Sequence, residues 1–204
     1  KPKSFNEFQF FTGLSNIPAR MFRYCTDLKE TILPPTVKEI GDNAFYGCSS
    51  LTSIKMPSNI ITVGNSAFEK CTSLKSVEWS ENGSALTYLG NLAFKETGLT
   101  KLFIPSGSNL TIGHGIVAGC KNLAKFEGSY LVNNNNVLCK DGFVKGVTIN
   151  AFDADGTLVI NPNWINTNGG VDGYLFYENK RIKTLDLSGC KFNIYINEHA
   201  FDNS

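Results

Sequence analysis

The side chains that could do chemistry here are six cysteines, two histidines and a scatter of carboxylates. Cys25, Cys48 and Cys71 recur every 23 residues, and Cys120 falls in the same series. Such a row could be a disulfide ladder, a metal site or a column of thiols. Zinc wants paired ligands, yet no Cys-x-x-Cys occurs and only His114 and His199 carry imidazole, so no metal is expected. Stacked side chains pointing the same way give poor disulfide torsions, so the row is predicted to hold buried thiols acting as small hydrophobes. Cys139 and Cys190 lie outside the series and are left open. His114 and His199 read as solvated loop residues. No nucleophile, base and orienting acid share a motif, so no catalytic residue, cofactor or enzymatic activity is expected. A hydrolase module confined to the irregular stretch from Tyr130 to Tyr177 is the remaining enzymatic reading.

What positions these residues is a repeat. Phe22, Phe45 and Phe68 share the 23-residue period, as do Leu28, Leu51 and Leu74. Ile40-Gly41-Asp42-Asn43-Ala44-Phe45 returns as Val63-Gly64-Asn65-Ser66-Ala67-Phe68 and, after a three-residue stretch of the period, as Leu89-Gly90-Asn91-Leu92-Ala93-Phe94. The extra residues are assigned to a turn at Glu81-Asn82-Gly83-Ser84. Ile112-Gly113 opens a further copy that closes with Cys120, Leu123 and Phe126. Gly41, Gly64, Gly90 and Gly113 form a column that means either positive φ at a corner or close approach of a neighbouring backbone. Pro18 in the first copy shows that positive φ is not needed in every unit. No phosphate-loop or dinucleotide spacing accompanies these glycines.

Within a unit, Leu51-Thr52-Ser53-Ile54-Lys55-Met56-Pro57 alternates apolar and polar residues, as a strand with one buried face does, and proline then ends it. Ala-Phe-x-x-Cys-x-x-Leu spaces apolar residues by three, which predicts a short 3₁₀ or α turn. A lone unit cannot bury its apolar side, but stacked neighbours can. Regular repeats are assigned to about residues 10–128 and degenerate ones to 129–204, all in a single domain. In the degenerate part, two short strands around Asn133 to Asn136 and a turn at Asp141-Gly142 are expected.

The whole pattern, φ-Gly-x-x-Ala-Phe-x-x-Cys-x-x-Leu-x-x-φ-x-φ-Pro, closely resembles the BspA-like class of leucine-rich repeats from about Leu14 to Gly128, with weaker matches to Phe201. The resemblance implies a leucine-rich-repeat solenoid: a right-handed β/α superhelix, rich in β, with short 3₁₀ or α turns and a parallel sheet on one face. It also implies a surface or secreted protein of host-associated bacteria that adheres to host, matrix or cell-surface proteins. Lys1-Pro2-Lys3 in place of an initiating methionine reads as a processed N-terminus.

Charge and length narrow the function further. Nineteen basic against 18 acidic residues leave a net charge of +1, too little for a nucleic-acid binder. No apolar run approaches the roughly 18 residues a membrane span needs. A monomer outside the cell, with a protein ligand, is the expectation. Binding should use the outward strand positions: one row holds Glu30, Ser53, Ser76, Lys101 and Lys125, the next Ile32, Lys55, Glu78, Phe103 and Glu127. Thr184 and Asp186 are expected to continue them. Phe103 and Ile32 would be the apolar anchors. The competing reading is a solvated sheet face on a structural spacer with no ligand of its own.

Overall fold

The computed structural model describes residues 3–80, 85–107, 109–165, 168–190 and 193–204. The turn assigned to residues 81–84 lies outside them. The chain winds through about eight coils and contains almost no helix. Two parallel ribbons run along the stack, where the sequence pointed to one sheet. The glycine ribbon pairs Asn16–Ile17, Glu39–Ile40, Thr62–Val63, Tyr88–Leu89 and Thr111–Ile112 in unbroken order. The leucine ribbon is made of successive pairs: Ser4–Phe5 with Glu30–Thr31, Ser53–Lys55 with Ser76–Glu78, Lys101–Ile104 with Lys125–Gly128. Its strands are short because proline follows them at Pro34, Pro57 and Pro105 and offers no amide. Single bonds such as Thr52 N–H to Lys29 O (3.1 Å) carry the stack across the breaks.

At the coil tips the expected 3₁₀ or α turn is replaced by something flatter. Among the described residues only Asn6–Phe10 is a 3₁₀ helix. In the repeat, alternate amides bond three residues back, as Cys48 N–H does to Phe45 O, while the others donate to the next coil. Asn43, Phe45 and Gly47 thus donate to Asn65, Ala67 and Glu69. Turning alternate amides outward requires left-handed residues four apart: Ser66 and Lys70 (φ 53° and 62°), then Leu92 and Glu96 (φ 57° and 55°). Few of these side chains favour that region, so the ladder bonds must hold them there.

Inside the tips the phenyl rings stack, with centroids 4.9 Å apart for Phe22–Phe45, 5.1 Å for Phe45–Phe68 and 5.5 Å for Phe68–Phe94. Phe8 closes the first end edge-on to Phe22. The glycine column is explained by close approach. A Cβ on Gly90 would lie 2.5 Å from Gly64 C, and one on Gly64 2.8 Å from Gly41 C, and none of the four glycines has positive φ.

Beyond Gly128 the winding continues with a changed coil. Leu131–Val132, Val137–Lys140 and Phe143–Val147 form an antiparallel meander, turning at Asn133–Asn136 and at Asp141-Gly142 as read from the sequence. Val144 then pairs with Val171 and Val171 with Ile196, resuming parallel stacking. Thr157–Val159, a strand the repeat pattern did not disclose, pairs with Thr184–Asp186. It therefore stands where Thr184 and Asp186 were expected to follow Lys125 and Glu127 directly. A second apolar cluster around Val144, Leu158, Val171 and Phe176 serves this part.

Two stability outcomes follow from the packing. Phe68→Ala, at a fully buried ring, should cost about 3–5 kcal/mol in denaturant melts, and Phe103→Ala on the outer face far less. Gly90→Ala should cost roughly 1–3 kcal/mol by overpacking two backbones, whereas Gly13→Ala, with nothing within 4 Å, should be close to neutral.

Candidate functional site

The outward face of the leucine ribbon gathers the predicted side chains in register. Ser53 faces Ser76 and Lys55 faces Glu78, Lys101 faces Lys125 and Phe103 faces Glu127. Between them Ile54, Val77, Leu102 and Phe126 point inward and are buried. Ile32 lies one residue beyond Glu30–Thr31, and its side chain is exposed, as is that of Phe103. Two lysines side by side would repel each other. Glu127 reaches both, at 2.7 Å from Lys125 Nζ and 3.5 Å from Lys101 Nζ. The hydrogen bond from Lys125 holds the Glu127 carboxyl below its ordinary range, with Lys101 adding to it. The pair positions are screened by solvent, so they set the sign of the surface more than its stability.

Sequence reasoning missed the N-terminal margin of this face. Phe10 is 74 % exposed and Phe11 56 %, and beside them a groove of about 520 Å³ is lined by Phe10, Ile32, Pro35, Lys55 and Pro57. The signal was present in Phe5, Phe8, Phe10 and Phe11: Phe5 pairs in register with Thr31, but Phe8, Phe10 and Phe11 lie on and just past the 3₁₀ segment Asn6–Phe10, which has no counterpart in the regular units.

The cysteines are all thiols, and no disulfide joins them. Three of the column donate to the carbonyl of a phenylalanine in the preceding coil: Cys48 to Phe22 (3.0 Å), Cys71 to Phe45 (3.1 Å) and Cys120 to Phe94 (3.0 Å). Thr97 holds the same position in the coil that lacks a cysteine, and its hydroxyl lies 3.2 Å from Cys120 Sγ. Burial pushes Cys71 well above the ordinary thiol range, Cys120 up to about 11 and Cys139 up to about 12. These groups are protonated at neutral pH and poor nucleophiles.

The histidines differ from expectation in one case. His199 is half-exposed, stacks on Tyr174 at 4.9 Å and meets Asp202 at 2.8 Å. His114 is not merely a loop residue. Its Nδ1 bonds the carboxylate of Asp172, which is fully buried and also lies 3.4 Å from Lys145 Nζ. Asp172 and Lys145 occupy the glycine column of the later coils, since Val171 and Val144 precede them in register. Upstream, Asp42, Asn65 and Asn91 form a ladder in which each Oδ1 accepts the amide of the next coil: Asn65 (2.7 Å), Asn91 (2.8 Å), His114 (2.8 Å).

A family model of the BspA-type leucine-rich repeat region matches six copies over residues 1–124, more than half of the chain. This chain belongs to the BspA-type leucine-rich-repeat family. Solved structures agree with the fold. A leucine-rich cell surface protein of Faecalibacterium prausnitzii superposes with a TM-score of 0.63 at 19 % identity, over 85 % of this chain and 51 % of that one. The pneumococcal vaccine antigen PcpA gives 0.64 at 18 % identity, over 85 % and 43 %. A leucine-rich repeat protein of T. pallidum gives 0.52 at 20 %, over 85 % and 63 %. At these identities the likeness is one of fold, and this BspA-type chain spans about half the length of the first two. No curated protein sequence matches it.

Thiol titration of this BspA-type protein at neutral pH should leave Cys48 and Cys71 unreacted. Peptide maps after unfolding in alkylating reagent should return both as modified thiols, and a Cys48–Cys71 disulfide there would refute the stacked-thiol account.

Proposed function

We propose that this BspA-type solenoid is a protein-recognition module acting outside the cell, at the surface or secreted, with the outward leucine ribbon as its contact face. The observation that carries the reading is the register itself. Phe103, Glu127 and Lys101 form one tile, Lys55 and Glu78 another, and Ile32 opens onto the groove beside Phe10. Isolated exposed apolar residues are ordinary on any surface, but here Phe103 stands beside Glu127, which both Lys101 and Lys125 meet, and Ile32 shares a groove with Lys55. Rigid placement lowers the entropic cost of contact, and the mixed charges give polar complementarity around each anchor. With net charge near zero, long-range steering is weak and association should be only mildly salt-dependent. The reading treats the chain as a monomeric binder of host, matrix or cell-surface proteins and as a non-enzyme. Its support is the family and the face just described.

The test is binding to a panel of immobilised extracellular-matrix proteins, repeated with Phe103→Ala and Lys55→Glu. Phe103→Ala should weaken any interaction by about 1–3 kcal/mol, with folding intact by melting curve. Wild-type affinity in both variants would remove the ribbon as the site. No binding across the panel would favour a spacer role.

A further inference from the structure

One junction of the stack is open. Between regular coils, three amides of each tip donate to three carbonyls of the next: Leu92, Phe94 and Glu96 to His114, Ile116 and Ala118, for example. The next set should run from Gly115, Val117 and Gly119 to Gly173, Leu175 and Tyr177. Among the described residues none of these three amides or three carbonyls has a hydrogen-bond partner. The ladder resumes one coil later, with Phe176 to Ala200 and Glu178 to Asp202.

The cause lies in the changed coil. In a regular unit the chain takes 12 positions from Ile112 on the glycine ribbon to Ala124 before the leucine ribbon. In the changed coil it takes six from Val144 to Asn150, with Ile149 N–H bonding Leu123 O at 2.8 Å. That coil has no tip. The tips on either side meet at one end, where His114 bonds Asp172 and Tyr174 packs on Gly115. Away from that contact they part around a cavity of about 300 Å³. Val117, Gly119 and Cys120 line one wall, Leu175 and Tyr177 the other, and Val147 and Ile149 the back. Lys121, Lys180 and Arg181 also line it with a single acid, Glu178, which Lys121 meets at 3.0 Å, while Lys180 donates to Asn203 O and Arg181 to Ile149 O at 2.9 Å.

The geometry points to a binding site for a peptide C-terminus with an apolar last side chain. Val117 and Gly119 leave two amides open on one wall, and such unpaired buried donors are offered to an anion that can accept them. Of the coils described, only this one has glycine at both left-handed positions, Gly115 and Gly119, so no side chain of its own covers the amides. Three cations in the lining favour a carboxylate. The open carbonyls on the facing wall favour a ligand that also donates an N–H. A small inorganic anion satisfies only the first wall, whereas a terminal residue carries carboxylate and amide N–H together. The apolar back then takes its side chain. This site is independent of the leucine ribbon.

The probe is N-acetyl-glycyl-leucine, compared with its C-terminal amide, titrated to millimolar concentration into the ¹⁵N-labelled whole chain. The free acid should shift the Val117 and Gly119 amide resonances saturably, and the amide should bind at least about tenfold more weakly, as loss of a charge-assisted contact implies. Arg181→Gln should weaken the acid severalfold; if that variant does not fold, the acid–amide comparison on the unmodified chain still decides. Equal affinities for acid and amide, shifts confined to other residues, or no shift at millimolar probe would each overturn the assignment.

Discussion

Everything in this molecule follows from backbones that stack within hydrogen-bonding distance on both ribbons and at the tips. Parallel strands lie about 4.8 Å apart, a spacing set by the amide–carbonyl bond and not by side chains. At the corner after each glycine-ribbon strand the backbones come closer still, so that even a Cβ on Gly64 or Gly90 would collide with the coil before it. At the tips the same demand turns Lys70 and Glu96 into left-handed conformations that their side chains do not favour. The phenyl stack and the thiol–carbonyl contacts are packed around a spacing already decided. A cysteine suits its column because it is small and apolar yet carries one weak donor, and Thr97 meets the same demand.

This ordering explains which parts were legible in the sequence. The Phe, Cys and Leu columns stood out because each is a buried position with one acceptable size, repeated at the coil period. The meander after Gly128 was readable from Asn133–Asn136 and Asp141-Gly142, whose side chains tolerate the turns they make. The tip geometry was hidden, because Ser66, Leu92 and Glu96 adopt positive φ for the sake of bonds to another coil. The later coils were hidden for a related reason: Lys145 and Asp172 stand where glycine should, and each makes the other's burial tolerable. The outward row was legible because strand alternation alone separates Lys55 from Ile54 and Phe103 from Leu102. The groove beside Phe10 was not, since it closes repeat residues such as Ile32, Lys55 and Pro57 against Phe10, which lies off the repeat pattern.

The two faces of the solenoid thus differ in kind. On the leucine ribbon alternate side chains face outward, so specificity there resides in residues that can vary without disturbing the fold. At the open junction the backbone itself is what faces the cavity. Its recognition chemistry depends on the path of the chain, and above all on the shortcut from Val144 to Asn150.

The ladder of Asp42, Asn65 and Asn91 bears on how such an array can change length. Each member receives an amide that every coil possesses, so one of these coils could be duplicated or deleted and its neighbours would still find a partner. His114 ends that interchangeability. It accepts its place from Asn91 through the common backbone bond, but its imidazole is committed to Asp172, 58 positions away. Upstream of His114 the units are modules that recombination can copy. Across it, the two sides must be inherited together.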